Sequence, residues 1–156
     1  MRLGDAIQAR LLAIADLSAL VESRVYELVL PQNEKRASVR FQVLGTPRPS
    51  HFRGPINHVM QRVQVDHYVP TSAADPIATV HAMGDAAIGN GLGPQASGLY
   101  GWAGVLGGSP DTPIHIFAVE LTNDGDQTYE EDAILRIRLR QEYRVHWRIH
   151  SSEVSA

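Results

Sequence analysis

One stretch near the C-terminal end constrains this chain more than any other. In 134–148, Leu135, Ile137, Leu139, Tyr143, Val145 and Trp147 alternate with Arg136, Arg138, Arg140, Glu142, Arg144, His146 and Arg148. Side chains on a β-strand point to opposite faces in turn, so this period predicts a strand with one apolar and one basic face. On a helix the same arginines would spread around the whole surface. Burying the six large odd-position side chains contributes roughly 9–18 kcal/mol gross, an upper bound because unfolded chains are already compact. This is the expected core strand. Straight, it would run about 47 Å, against a radius of gyration near 15 Å for a globule of this length. It must cross the whole domain, bend at Gln141 and Glu142, or project towards a partner.

The basic face needs an account of its own. Like charges two residues apart lie about 7 Å from each other and repel by roughly 0.6 kcal/mol in water, more where water is excluded. The sequence offers counter-charges nearby. Between positions 63 and 135 there is no Lys or Arg, yet ten of the chain's 17 acids fall there, while all 14 basic residues lie outside it. A net charge of −3 conceals this division. It suits a chain that pairs its own halves or docks head to tail with copies of itself, and it suits general nucleic-acid binding poorly. The basic face therefore has three readings: a solvated sheet face, an interface with a protein, or a contact with nucleic acid. The interface reading is preferred, because arginine is enriched at interfaces and an acidic mate is present. Its candidate residues are Arg136, Arg138, Arg140 and Arg144, with Glu120, Asp124, Asp126, Glu130, Glu131 and Asp132 as their carboxylate partners.

With 156 residues, one domain over 1–150 is expected, followed by a frayed tail at 151–156. The absence of cysteine excludes disulfides, thiolate metal sites and a cysteine nucleophile. No apolar run approaches membrane-spanning length, and the opening Met1-Arg-Leu-Gly does not begin a signal peptide. These features give the expectation of a soluble, cytoplasmically made protein with no membrane partner.

Upstream, Leu3, Ile7, Leu11 and Ile14 share one helical face over 3–15, with Leu12 beside it. Asp16 is placed to cap a short helix over 17–21. The stretch 24–30 reads as extended and Pro31 ends it. Val39, Phe41 and Val43 alternate with polar residues in a half-buried strand over 37–43, and Val63 and Val65 do the same in a strand over 59–69. A helix follows from Thr71, or from an Asp75 cap with Pro76 in its first turn, with Ile77, Val80, Met83 and Ile88 as its apolar stripe. The glycine-rich segment 89–113 is too long for an ordinary connection and reads as a loop insertion, with Tyr100 and Trp102 as apolar anchors that order on meeting a partner. A strand at 115–121, a turn at Thr122-Asn-Asp-Gly-Asp and the arginine strand complete an α+β fold. Its expected sheet is antiparallel, of about four strands, with helices packed on one face.

Catalytic chemistry finds no foothold. The seven histidines adopt no metal-ligand spacing, and His146 and His150 would stand about 13 Å apart on a strand. Asp66 and His67 are strand neighbours that point to opposite faces and cannot form a dyad. Gly89-Asn-Gly-Leu-Gly follows a helix and lacks a Gly-Lys-Ser/Thr ending, so it is no phosphate loop. No Gly-x-Ser-x-Gly elbow is present either. The reading is a non-enzyme with no catalytic, cofactor-binding or metal-ligating residues.

An ordered set of segments carries a family resemblance. Ala6-Ile-Gln-Ala-Arg-Leu-Leu-Ala, Leu17-Ser-Ala-Leu-Val, Ser23-Arg-Val-Tyr-Glu and Leu30-Pro-Gln come first. Ser38-Val-Arg-Phe-Gln-Val-Leu-Gly-Thr-Pro, Arg62-Val-Gln-Val-Asp-His-Tyr-Val and Tyr143-Arg-Val-His-Trp follow. Over about 1–83 and 114–148 the chain resembles the tail completion, or tail terminator, proteins of long-tailed bacteriophages and gene transfer agents. The resemblance implies a structural virion protein, made in the bacterial cytoplasm, that forms a hexameric ring at the head-proximal end of the tail tube. Such a ring stops tube polymerisation and offers the head-joining surface. Its implied partners are other copies of itself, the tail tube protein and a head-completion or stopper protein, with DNA passing through the lumen without sequence-specific binding. Another neck component, either adaptor or stopper, or a minor tail protein is the alternative. The segment 89–113 departs from the family pattern.

Overall fold

Strand after strand in this chain takes its place beside the long arginine-rich one. The computed structural model describes residues 2–45, 59–91, 96–106, 114–131 and 134–149. In chain order the elements are α1 (Leu3–Ala13), α2 (Ala15–Val21), β1 (Val25–Glu27), β2 (Ser38–Leu44), β3 (Val59–Pro70), α3 (Pro76–Ile88), β4 (Gly104–Leu106), β5 (Ile114–Glu131) and β6 (Leu135–Ile149). The strands form one sheet in the order β1-β2-β3-β6-β5-β4. Every pairing is antiparallel except β1 with β2. The fold is mixed α+β.

Strand β6 lies between β3 and β5, paired with β3 from Arg136 to Trp147 and with β5 from Leu135 to Ile149. It crosses the domain rather than projecting from it. Ile137, Leu139, Tyr143, Val145 and Trp147 are all buried, beside Val63, Val65 and Val69 of β3 and Val39 and Phe41 of β2. All three helices cover this face. Leu3, Ala6, Ile7 and Leu11 of α1, Leu17 and Val21 of α2, and Val80, Met83 and Ala87 of α3 belong to the same core. At Gly84, α3 comes so close to β6 that an added Cβ would lie 2.6 Å from Leu139 Cδ2 and 3.0 Å from Gln141 Nε2.

Several expectations are corrected. The described sheet has six strands, not about four, because the extended stretch after α2 pairs with β2 and the 89–113 segment contributes β4. Thr122-Asn-Asp-Gly-Asp is not a turn. β5 runs through it to Glu131, and register shifts at Leu121/Asn123 and Asp124/Asp126 absorb the extra residues. Gly125 takes φ +93° in one of these bulges, a conformation that suits glycine. Asp16 lies in the first turn of α2, and Ile14 is the capping residue. Ile77 is 47% exposed, and Gly84 and Ala87 complete the buried stripe of α3 instead. The tail 151–156 lies outside the described residues. No helix among the described residues is long and apolar enough to cross a membrane.

Candidate functional site

The even positions of β6 lie on the face opposite the helices, and cross-strand register decides what they meet. Asp66 of β3 sits opposite both Arg40 of β2 and Arg140 of β6. Its carboxylate accepts hydrogen bonds from Arg40 Nη2 (2.7 Å), Arg140 Nε (2.8 Å) and Gln64 Nε2 (3.1 Å). Three strands are tied together by one acid with 1% of its surface exposed. Burial alone would raise the Asp66 pKa, but the hydrogen bonds and charges of Arg140 and Arg40 outweigh it and hold the group below its ordinary 3.8.

Arg136 is buried at 3% exposure. Its Nη2 donates to the carbonyls of Glu34 (3.0 Å) and Gln32 (3.5 Å), fastening the segment after β1 to the central strand. The Glu34 side chain accepts from Tyr26 Oη (3.1 Å) and Arg36 Nε (3.0 Å). Arg144 pairs with Glu120 at 3.6 Å, with His146 Nε2 3.5 Å from the same carboxylate. Thus the arginine face is largely used within its own chain.

The other candidate acids divide by register. In the backbone register Asp126 is paired with Arg140, Thr128 with Arg138 and Glu130 with Arg136. Asp124 lies opposite Gln141 on the helix side, where it accepts from Gln141 Nε2, and Glu131 is paired in register with Leu135. Asp132 lies outside the described residues. The sequence named Glu120–Asp132 as the mate of the arginines; Glu120 does pair with Arg144, whereas Arg140 pairs with Asp66, supplied by β3.

Tyr100 and Trp102 are also separated. Tyr100 is 42% exposed, but Trp102 is 6% exposed and Leu99 1%. The Leu99 N–H donates to the carbonyl of Ala87 (2.7 Å), and Arg10 donates to the Gly98 carbonyl while its guanidinium lies 5.3 Å from the Trp102 ring. The described part of 89–113 is therefore built into the domain, and Trp102 is a core residue rather than a partner-facing anchor.

A polar node inside the core escaped the sequence reading. His67 is fully buried, with Nε2 2.9 Å from Gln141 Oε1, and Tyr143 Oη donates to that same oxygen (3.0 Å). Gln141 Nε2 donates to the Gly84 carbonyl (3.1 Å) and to Asp124 (3.3 Å). Because Oε1 only accepts, His67 must carry its proton on Nε2, which leaves Nδ1 as a buried acceptor without a partner. Burial depresses the His67 pKa from 6.5 to about 4, against smaller opposing effects of Gln141, Asp66 and Asp124. The one sequence signal was Gln141, the polar residue that breaks the apolar phase of β6. Among the described residues, no three His, Asp or Glu side chains converge as a metal site.

No protein-family model and no curated protein matches the chain. A solved structure known only by a sequence identifier resembles it at 18% identity, over 91% of this chain and 94% of that one, with a TM-score of 0.45. Similarity of that degree leaves fold and function to be argued from the chain itself.

Proposed function

We infer that this protein is a structural subunit of the tail of a long-tailed bacteriophage or gene transfer agent, forming a ring at the head-proximal end of the tail tube. There it ends tube polymerisation and presents the surface to which the head is joined. The reading rests first on the ordered sequence resemblance over 1–83 and 114–148. The observation that carries it structurally is the sheet itself, whose two outer edges are unlike. On one side the short β1 is followed by the apolar Leu28 and Val29 and the basic Lys35 and Arg36, whereas on the other the long β5, paired with β4 only at Ile114–Ile116, is acid-rich. Rings close through head-to-tail contacts between different patches of one subunit, and such a sheet presents two. An adaptor or stopper of the neck, or a minor tail protein, is the second reading, because such proteins use unlike docking patches too.

The test is the solution mass of the full chain by light scattering, alone and with cognate tail tubes, at low and high salt. The expected species is a hexamer of the 17.1 kDa subunit, either free or formed on the tubes. Electron microscopy should then show a ring capping one tube end. A monomer indifferent to tubes and salt would remove the terminator reading.

A further inference from the structure

Two pairs of exposed apolar residues lie towards opposite sides of the sheet, Leu28 and Val29 after β1 and Tyr129 and Leu135 on β5 and β6. At the first edge, β1 ends in a tight turn on Leu28. The Leu28 N–H donates to the Phe41 carbonyl (2.9 Å), the Val29 N–H donates back to the Glu27 carbonyl (2.8 Å), and Leu28 has φ +67°. A three-residue turn with positive φ at a bulky residue is rare and strained. It holds Leu28 and Val29 out into solvent at 54% and 73% exposure. Lys35 and Arg36 follow on the returning segment, both exposed.

At the opposite edge, β5 has a strand partner on its outer side only at Ile114–Ile116, where β4 pairs with it. From there to Glu131 no described strand covers it. Near its far end Tyr129 is 64% exposed and Leu135 42%. Register places Tyr129 opposite Ile137 and Leu135 opposite Glu131, so both belong to the helix-side face, two positions apart. Glu130 and Glu131 share this end of β5, within the part of the sequence that has no Lys or Arg.

We propose that the Leu28 and Val29 turn of one copy docks on the Tyr129 and Leu135 end of β5–β6 in the next copy, with Lys35 facing the acidic end of β5. A second copy is the occupant because both halves of the contact lie on this one chain, complementary in charge and each exposing apolar side chains. The two edges are roughly 19 Å apart at four strand spacings, so a subunit does not meet its own turn. The arginine face is not the mate, since Asp66, Glu120 and the Gln32 and Glu34 carbonyls already engage it. This surface assignment rests on the ring reading above and gives it an interface.

The experiment uses Val29→Glu and Tyr129→Glu in the full chain, each checked for an unchanged melting temperature. The uncharged pair Val29→Ser and Tyr129→Ser serves if either charged variant fails to fold. Each single variant is expected to assemble at least tenfold more weakly than wild type. Mixed in equal amounts, the two should form a discrete dimer and stop there, because each retains the patch that the other has lost. Normal rings from both variants, or a mixture that stays monomeric, would overturn this interface and leave the ring reading standing. A wild-type chain that never assembles, alone or on tail tubes, would overturn both.

Discussion

Replacing Asp66 by Asn tests whether the arginine face is held together from within. The substitution keeps size and shape but removes the charge shared by Arg40 and Arg140. Breaking a buried ion pair by deleting one partner costs about 3–5 kcal/mol. Asp66 is buried, but Arg40 and Arg140 keep 24% and 28% of their side-chain surface and can turn towards water, which lowers the cost. The expected loss is about 2–3 kcal/mol, or a fall in melting temperature of roughly 5–10 °C for a chain of this size. Urea denaturation at pH 7 measures it, and a double-mutant cycle with Arg140→Gln should show coupling between the two sites. The sign with pH follows from the depressed Asp66 pKa. Its stabilisation is present above the ordinary 3.8 and is lost as pH falls through the lower folded value, so wild type and variant should converge in strong acid. An Asp66→Asn protein melting within about 1 °C of wild type at pH 7, against that expected shift, would refute the clamp.

Other perturbations read other parts of the structure. His67 binds protons less readily folded than unfolded, so wild type should lose about 3 kcal/mol between pH 6.5 and about 4. His67→Gln should flatten that segment of a stability–pH curve. Gly84→Ala should destabilise by about 1–3 kcal/mol through overpacking against Leu139, seen in a thermal melt. Trp102→Ala should cost about 3–5 kcal/mol, and hydrogen exchange on the unassembled protein should find the Leu99 amide protected, the reverse of a segment that orders only on a partner. Leu28→Gly should raise the melting temperature by relieving the positive φ while weakening assembly, a pairing that loss of an ordinary core contact would not give.

Much of this was visible in the sequence because β-periodicity reports faces directly. The apolar phase of β6, the Val63 and Val65 phase of β3 and the Leu3, Ile7, Leu11 and Ile14 stripe all came from local spacing, and these residues are buried except Leu135, which opens β6 and is 42% exposed. What local spacing does not report is register. Arg40, Asp66 and Arg140 can each be assigned to the polar face from their own strands, yet only the pairings Arg40↔Asp66 and Asp66↔Arg140 bring them together. Glycine content misled in 89–113, where the composition of a loose insertion conceals Leu99 and Trp102 in the core. The polar run 122–126 misled similarly. Turn-forming residues also fit β-bulges, and only pairing to β6 distinguishes the two.

The division of labour between the sheet's face and its edges follows from where charge is desolvated. A row of arginines on one strand suggests a docking surface as long as its counter-charges are sought outside the subunit. Here Asp66 is almost fully buried between two guanidiniums, so freeing Arg40 or Arg140 for a partner would expose an unpaired acid and weaken the β2-β3-β6 pairing. An interface using those arginines would have to offset that loss before gaining any affinity. Leu28 and Val29 carry no such obligation: they are exposed, make no described ion pair and are already held in position by the Glu27 and Phe41 carbonyls. Docking them removes apolar surface from water without breaking an internal contact. Salt should accordingly weaken assembly only through Lys35 and the acids of β5, while the apolar part of the contact persists.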